Sequence, residues 1–176
     1  ESRYPDSRWV KLLLGIEHIH GWLTRAAGKD SDAMPGEPPP CRVTDTSEHG
    51  MGLAWEGGGA GDVRVGELLG VIDEGKPPKL AIVRSIRVYR EGDMELGVQL
   101  IPGSSAPVYC RLVEEAGQEM TAVRTLFMPA SSEEDVAATI VAPKGLYEQG
   151  RRLLIEVAGR DVHARAGRCV FEGAVF

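Results

Sequence analysis

Most of the chain alternates apolar and polar residues over short runs, and Gly, Pro or Asp separates each run from the next. Successive side chains of an extended strand point to opposite faces, so this period of two predicts β-strands. Glu91, Gly92 and Asp93 stand between two alternating runs and predict a hairpin turn. The strands predicted before residue 102 are Arg8–Gly15, Cys41–Asp45, Met51–Glu56, Glu67–Asp73, Leu80–Arg90 and Met94–Ile101.

One segment near the N-terminus breaks this rhythm. Ile16, Ile19 and Leu23 recur at helical spacing, which predicts a short helix over Ile16–Ala27. The residues from 28 to 40 are rich in Gly, Pro and Asp and predict an exposed loop. We interpret residues 16–40 as an insertion between the first and second strands.

The second half of the chain repeats the pattern of short strands. Pro102–Pro107 is small and polar and predicts a boundary, which divides the chain into residues 1–102 and 103–176. We therefore predict an all-β protein, a six-stranded antiparallel barrel followed by a second small β-barrel-like domain. The strands predicted in the second domain are Val108–Val113, Thr121–Met128, Val136–Ala142, Arg152–Val157, Asp161–Ala166 and Cys169–Phe176.

The composition narrows the classes of partner and compartment. A net charge of −6 gives no counterion-release advantage, so we expect no binding to a nucleic-acid polymer. The three cysteines, Cys41, Cys110 and Cys169, are widely spaced and fall in predicted strands, which favours buried free thiols in a reducing cytoplasm. No apolar run approaches the roughly 18–20 residues of a membrane span.

A polar turn follows the second predicted strand. Asp45 and Ser47 can each bond to backbone groups two residues on, and Gly50 allows a positive φ or a close approach of a ligand to the backbone. The spacing of these three residues resembles the second signature of the PilZ family, Asp or Asn, any residue, Ser, two residues, Gly. The strands and turns from Arg42 to Ile101, which include this turn, are similar to a PilZ domain in order and spacing.

The resemblance implies a bacterial receptor for cyclic di-GMP, with no cofactor or metal. In the family, an Arg-xxx-Arg segment ahead of the barrel holds the phosphates and stacks on the guanines. Here Arg3 and Arg8 stand ahead of the first strand but have four residues between them instead of three, whereas Arg25 and Lys29 have the family's spacing but follow the helix. Arginine suits this role because its planar fork binds phosphate through two bonds and also lies on a π-face.

The resemblance and the polar turn together define a predicted ligand site. The site consists of Arg3, Arg8, Asp45, Ser47 and Gly50. A structural interpretation stays open for each part, since terminal arginines are often solvated and turns often contain Asp, Ser and Gly. His18 and His20 would lie about 200° apart on a helix and do not predict a metal site.

Two functions remain open at this point. The first is a cyclic di-GMP receptor that couples the second messenger to a partner protein in motility, pilus or biofilm regulation. The second is a degenerate PilZ-like scaffold that binds a protein partner and no nucleotide. No nucleophile–base pair or carboxylate dyad stands out along the sequence, so we do not expect an enzyme.

Overall fold

The structure, a computed structural model, describes residues 2–28, 36–56, 63–89, 92–113, 121–131, 137–157 and 159–173. Within these ranges the protein has twelve strands and one helix. The elements are β1 (Tyr4–Pro5), β2 (Trp9–Leu14), α1 (Gly15–Ala26), β3 (Pro40–Thr46), β4 (Gly50–Trp55), β5 (Leu68–Ile72), β6 (Lys79–Val88), β7 (Met94–Leu100), β8 (Ala106–Leu112), β9 (Val123–Met128), β10 (Thr139–Val141), β11 (Arg152–Val157) and β12 (Arg160–Arg165).

The first half of the chain forms the predicted six-stranded antiparallel barrel. The strand order is β1-β3-β2-β5-β6-β7-β4, and pairing of β3 with β4 closes the ring. The short β1 is an additional strand that pairs only with β3 among the described elements. Inward and outward residues alternate along the barrel strands. The inward apolar residues fill the barrel, and they are residues that the period of two had indicated. Leu53, Leu96 and Val43 are completely buried there.

The helix α1 lies between the barrel and the second sheet. Its residues Ile16 and Ile19 pack against Leu68 and Leu80 of the barrel on one side and against Leu126 of β9 on the other. This arrangement is possible because β2 is apolar on both faces, with Leu12 inside the barrel and Leu13 under the helix. The barrel, the helix and the second sheet therefore share one apolar cluster.

The second half of the chain forms a five-stranded antiparallel sheet. Its strand order is β10-β9-β8-β11-β12, and residues 101–105 connect it to the barrel. One face packs on α1, and the other gathers Val108, Cys110, Leu153 and Ile155 into a smaller core. The second barrel-like unit and the single short helix of the described residues agree with the sequence prediction. We propose that the domain boundary lies at residues 102 and 103, with residues 16–40 inserted into the first domain.

The prediction of a strand over Cys169–Phe176 is wrong for its described part. Residues 166–173 contain no strand, and residues 174–176 lie outside the described ranges. The Tyr147 hydroxyl donates to the Gly167 carbonyl at 3.1 Å and accepts the Cys169 N–H at 3.1 Å. A side chain thus satisfies backbone groups that a neighbouring strand would otherwise bind. Cys169 is accordingly exposed, whereas the buried Cys41 and Cys110 follow the prediction.

A buried histidine lies where the helix meets the second sheet. His20 is only 2% exposed, and its ring meets the Tyr109 ring edge-on, with 4.9 Å between the ring centres. Its Nε2 atom has no hydrogen-bond partner among the described residues. Burial, followed by the positive charge of Arg124, lowers the pKa of His20 below its usual value of 6.5.

The lowered pKa of His20 gives a testable pH dependence. Below about pH 6.5 the unfolded chain binds a proton that the folded chain does not, so the free energy of unfolding falls as the pH decreases. The slope from this one group is at most about 1.4 kcal/mol per pH unit. Urea unfolding between pH 5 and 8 measures it. His20→Leu is expected to remove this part of the slope, and the exposed His163→Asn serves as the control. An unchanged slope in His20→Leu would contradict the assignment.

Within the described ranges, no helix has the length and apolar character needed to cross a membrane.

Candidate functional site

The N-terminal segment lies along the outside of the barrel beside the polar turn. Tyr4 and Pro5 of β1 pair with Thr46 and Asp45 of β3, and the Asp6 N–H donates to the Thr44 carbonyl at 3.2 Å. A strand of two exposed residues carries no hydrophobic pattern, which is why the sequence did not predict β1. Its consequence for function is that it carries Arg3 to the end of β3.

Arg3 and Asp45 form an ion pair at this point. The Arg3 Nη1 atom donates to Asp45 Oδ1 at 2.7 Å, and the two side chains are 60% and 29% exposed. Exposed pairs of this kind contribute only about 0–1 kcal/mol, because water and salt screen the charges. The guanidinium of Arg3 can therefore exchange its carboxylate for another anion at little cost.

A β-bulge in β3 sets the position of Asp45. The pairing of β3 with β4 shifts between Val43 and Asp45, so that Thr44 is the extra residue. The Thr44 hydroxyl donates to Asp45 Oδ2 at 3.3 Å. Both side chains lean over Gly52 of β4, where a Cβ atom would lie 2.5 Å from Asp45 Oδ2 and 2.5 Å from Thr44 Oγ1. Glycine at position 52 is therefore a requirement of this arrangement.

Ser47 and Gly50 close the turn between β3 and β4. The Ser47 N–H donates to the Gly50 carbonyl at 2.9 Å, and the Ser47 hydroxyl donates to the same oxygen at 3.3 Å. Gly50 does not have the positive φ that was one of its two predicted roles, and the approach of a ligand to its backbone stays a prediction. A Cβ atom there would lie 3.1 Å from the Val98 carbonyl oxygen and 3.3 Å from Ser47 Oγ. The turn is thus held by Ser47, while the carboxylate of Asp45 faces Arg3.

Beside this turn the glycines of β4 and β7 are covered by side chains of β3 and β6. Met51 and Leu53 of β4 point into the barrel, so Gly50, Gly52 and Ala54 point outward. Gly52 pairs directly with Gly97 of β7. Gly52 and Gly97 were not among the residues predicted for the site, although the inward alternation of β4 and β7 placed both on the outer face. The space above this glycine pair is filled by neighbouring side chains, because Asp45 and Thr44 lie over Gly52 and a Cβ atom on Gly97 would lie 2.4 Å from Ser85 Oγ.

Arg8 stands at a different set of carboxylates. Its Nη1 atom lies 2.6 Å from Asp6 Oδ2, and its Nε atom lies 3.5 Å from Asp73 Oδ2, near the turn that follows β5. Asp73 also accepts from Lys76 at 2.7 Å, and this hydrogen bond is the main reason that the pKa of Asp73 is lowered. The structure therefore brings Arg3 together with Asp45, Ser47 and Gly50, whereas the described contacts of Arg8 are with Asp6 and Asp73.

The other sequence candidates contribute little to this surface. Arg25 lies in the last turn of α1, and Lys29 lies outside the described residues. No group of three His, Cys, Asp or Glu side chains in the described parts of the chain is arranged to hold a metal ion. The chemistry available at the turn is a guanidinium that can bind phosphate and a carboxylate that can accept from a base.

Comparison with known proteins supports the resemblance. Residues 25–107 match the family described as "Cyclic-di-GMP receptor FimW, middle PilZ domain", and residues 108–176 match "FimW C-terminal beta-barrel domain". A curated relative, the cyclic-di-GMP receptor FimW of Pseudomonas aeruginosa, is 28% identical over 127 residues, which are 72% of this chain and 21% of the relative. The chain thus spans about a fifth of the length of this relative. No solved structure gives a significant match.

The two matched regions adjoin and follow the architecture. The first contains the Asp45–Gly50 turn and strands β3 to β7, and the second contains β8 to β12. Arg3 and Arg8 precede both regions, so their roles depend on the geometry alone. With five of its six barrel strands and its motif-bearing turn inside the first match, this chain belongs to the PilZ domain family.

Proposed function

We propose that this chain is a cyclic di-GMP receptor that binds the dinucleotide on the outer face of its barrel. The ion pair between Arg3 and Asp45 is the observation that supports this most directly. It holds a guanidinium that can bind phosphate and a carboxylate that can accept from a base within 2.7 Å of each other, beside the turn between β3 and β4. The curated relative FimW is described as a cyclic-di-GMP receptor.

The binding chemistry follows from the two side chains. The guanidinium of Arg3 leaves Asp45 and takes a phosphate oxygen pair, which replaces a weak exposed ion pair by charge-assisted bonds. The freed carboxylate of Asp45 accepts from the N–H groups of a guanine edge. Gly52 lets Asp45 and Thr44 lie close against β4, which holds the carboxylate of Asp45 beside Arg3. Binding and release are the whole of the proposed activity, and we propose no catalytic step.

Ligand binding at this place has a direct route to the rest of the chain. Arg3 is continuous with β1 and β2, and β2 lies under α1, which packs on the second sheet. We propose that ligand binding shifts the N-terminal segment, and that this shift is transmitted through the contact to a surface that binds a partner protein. The process would be motility, pilus or biofilm regulation in a bacterial cytoplasm.

A protein-binding scaffold is the second candidate function. The observation that favours it is that Arg3 and Arg8 both already have carboxylate partners. On this account the two ion pairs are structural, and the outer face of the barrel binds a protein instead of a nucleotide.

Calorimetric titration of the chain with cyclic di-GMP distinguishes the two functions. Cyclic di-AMP is the matched control ligand, since it has the same phosphates but presents a different base edge. The receptor function predicts saturable binding of cyclic di-GMP with a preference of at least about tenfold over cyclic di-AMP, or about 1.4 kcal/mol. Absence of heat and of any shift in the melting temperature with cyclic di-GMP would leave the scaffold function in place.

A further inference from the structure

Arg42 is a barrel arginine that the polar turn does not use. It lies on β3 with its side chain partly buried on the outer face of the barrel. Within the described parts of the chain it makes no ion pair and no side-chain hydrogen bond. A partly desolvated guanidinium without a counter-charge is stabilised when an anion arrives, so this position favours an anionic ligand.

The neighbours of Arg42 form a row across the outer face. Arg42 pairs with Trp9 of β2 on one side and with Ala54 of β4 on the other, and Ala54 pairs with Glu95 of β7. Directly opposed residues on antiparallel strands share one face of the sheet, so these four side chains lie side by side. Trp9 is 55% exposed, which is unusual for so large an apolar ring and leaves its surface accessible to a ligand.

The small side chain of Ala54 leaves a groove next to Arg42. The groove has a volume of about 250 Å³, and its lining includes Thr44, Glu56, Tyr89 and Glu95. Glu95 accepts from the Tyr89 hydroxyl at 2.9 Å, whereas Glu56 has no ion pair or hydrogen bond with any residue that the structure describes. One side of the groove therefore offers a cation, and the other offers carboxylates.

The groove adjoins the Asp45 turn. Thr44 lines the groove and also donates to Asp45 at 3.3 Å, so one side chain belongs to both places. Arg42 and Asp45 are three residues apart on β3, a separation of about 10 Å along an extended strand. Two arginine side chains, Arg3 at one end and Arg42 at the other, can therefore reach a single ligand that lies across β3 and β4.

We propose that Arg42 and this groove hold the second guanylate half of a cyclic dinucleotide whose first half contacts Arg3 and Asp45. The proposal rests on the proposed receptor function and adds a second guanidinium from the barrel itself. The second phosphate lies on the fork of Arg42. The second guanine turns its N–H edge toward the carboxylate of Glu56, and the exposed ring of Trp9, which neighbours Arg42 in the row, is expected to report the arrival of the ligand.

The charge balance of the site supports this division. The chain has a net charge of −6, and the groove itself contains Glu56 and Glu95. These carboxylates repel a phosphate from the acidic side of the groove. A guanine edge is neutral and rich in donors, which suits carboxylates. Phosphate and base are thus drawn to opposite sides of the groove by their own chemistry.

Titration of Arg42→Ala with cyclic di-GMP tests the proposal. Because the side chain makes no contact of this kind in the free chain, the variant should keep its melting temperature. Binding is expected to weaken about tenfold to a hundredfold. Arg165→Ala removes the same charge from β12 of the second sheet and is expected to change the affinity less than threefold. Arg42→Lys should recover only part of the affinity, because an ammonium cannot form the two-bond fork.

Each outcome decides a separate question. If the wild-type chain binds cyclic di-GMP and Arg3→Ala weakens it, but Arg42→Ala binds as the wild type does, the Arg42 proposal is overturned and the receptor function stands. If the wild-type chain does not bind, both are overturned. A change in tryptophan fluorescence on ligand addition that disappears in Trp9→Phe supports the proposal, whereas binding of the ligand with no change in the fluorescence of the wild-type chain would place it away from both Trp9 and the groove residue Trp55.

Discussion

Ile19→Ala is expected to lower the free energy of unfolding by about 2–5 kcal/mol. Ile19 is completely buried on α1 and belongs to the cluster that joins the barrel to the second sheet. A Cβ atom on Gly70 of β5 would lie only 3.0 Å from its Cγ1, so the isoleucine fills the space that this glycine leaves. Truncation would open a cavity at a contact between three elements, which the backbone of β5 cannot collapse to fill.

Urea unfolding measures this effect, followed by circular dichroism and by tryptophan fluorescence. Val170→Ala is the control, since Val170 is 72% exposed in the segment after β12 and its truncation should cost less than about 0.5 kcal/mol. Both probes are expected to report one shifted transition, because the cluster is shared. A loss below about 1 kcal/mol, or one sheet unfolding without the other, would show that the helix does not join the two halves.

The strands of the barrel could be predicted because their alternation has a physical cause. Every second residue of β4 and β7 fills the barrel, so the sequence must have an apolar residue at every second position of these strands. The C-terminal segment shows the limit of this reasoning. Val170 and Phe171 look like part of a strand, but Phe171 instead lies against the guanidinium of Arg84, 4.8 Å from its ring centre. A contact between residues so far apart along the chain leaves no local pattern.

The candidate site could be predicted only in part from the sequence, for a similar reason. Asp45, Ser47 and Gly50 form a local turn, so their spacing carried information. Arg3 meets Asp45 through the two-residue strand β1, which has no apolar pattern of its own.

Two further features of the surface depend on pairing across strands. Gly52 opposite Gly97 and Arg42 opposite Trp9 become neighbours only when the barrel closes in one register. A single outward arginine in an alternating strand looks like any solvated charge until that register is known. The sequence therefore predicts which residues face outward, while the structure shows which of them meet.

Arg3→Ala is expected to weaken cyclic di-GMP binding about tenfold to a hundredfold, since a charge-assisted contact contributes about 1.5–3 kcal/mol. Arg8→Ala is expected to cost less. Arg8 would first have to leave Asp6 and Asp73, and the loss of those two contacts offsets what a phosphate would contribute. Calorimetry on the two variants measures this order. Equal affinities for wild type and Arg3→Ala would remove Arg3 from the site.

Asp45→Ala tests the same site through the sign of its effect. Removing the carboxylate frees Arg3 from an exposed ion pair worth about 0–1 kcal/mol, which favours binding of any anion. It also removes the acceptor for the guanine edge, a charged hydrogen bond worth about 1.5–3 kcal/mol. The second effect is the larger, so the variant is expected to bind cyclic di-GMP about tenfold more weakly despite its lower negative charge. Inorganic phosphate, which has no base, should instead bind slightly better. If cyclic di-GMP also binds more tightly to Asp45→Ala, the turn is an anion site without base recognition, and the receptor function loses its support from this turn.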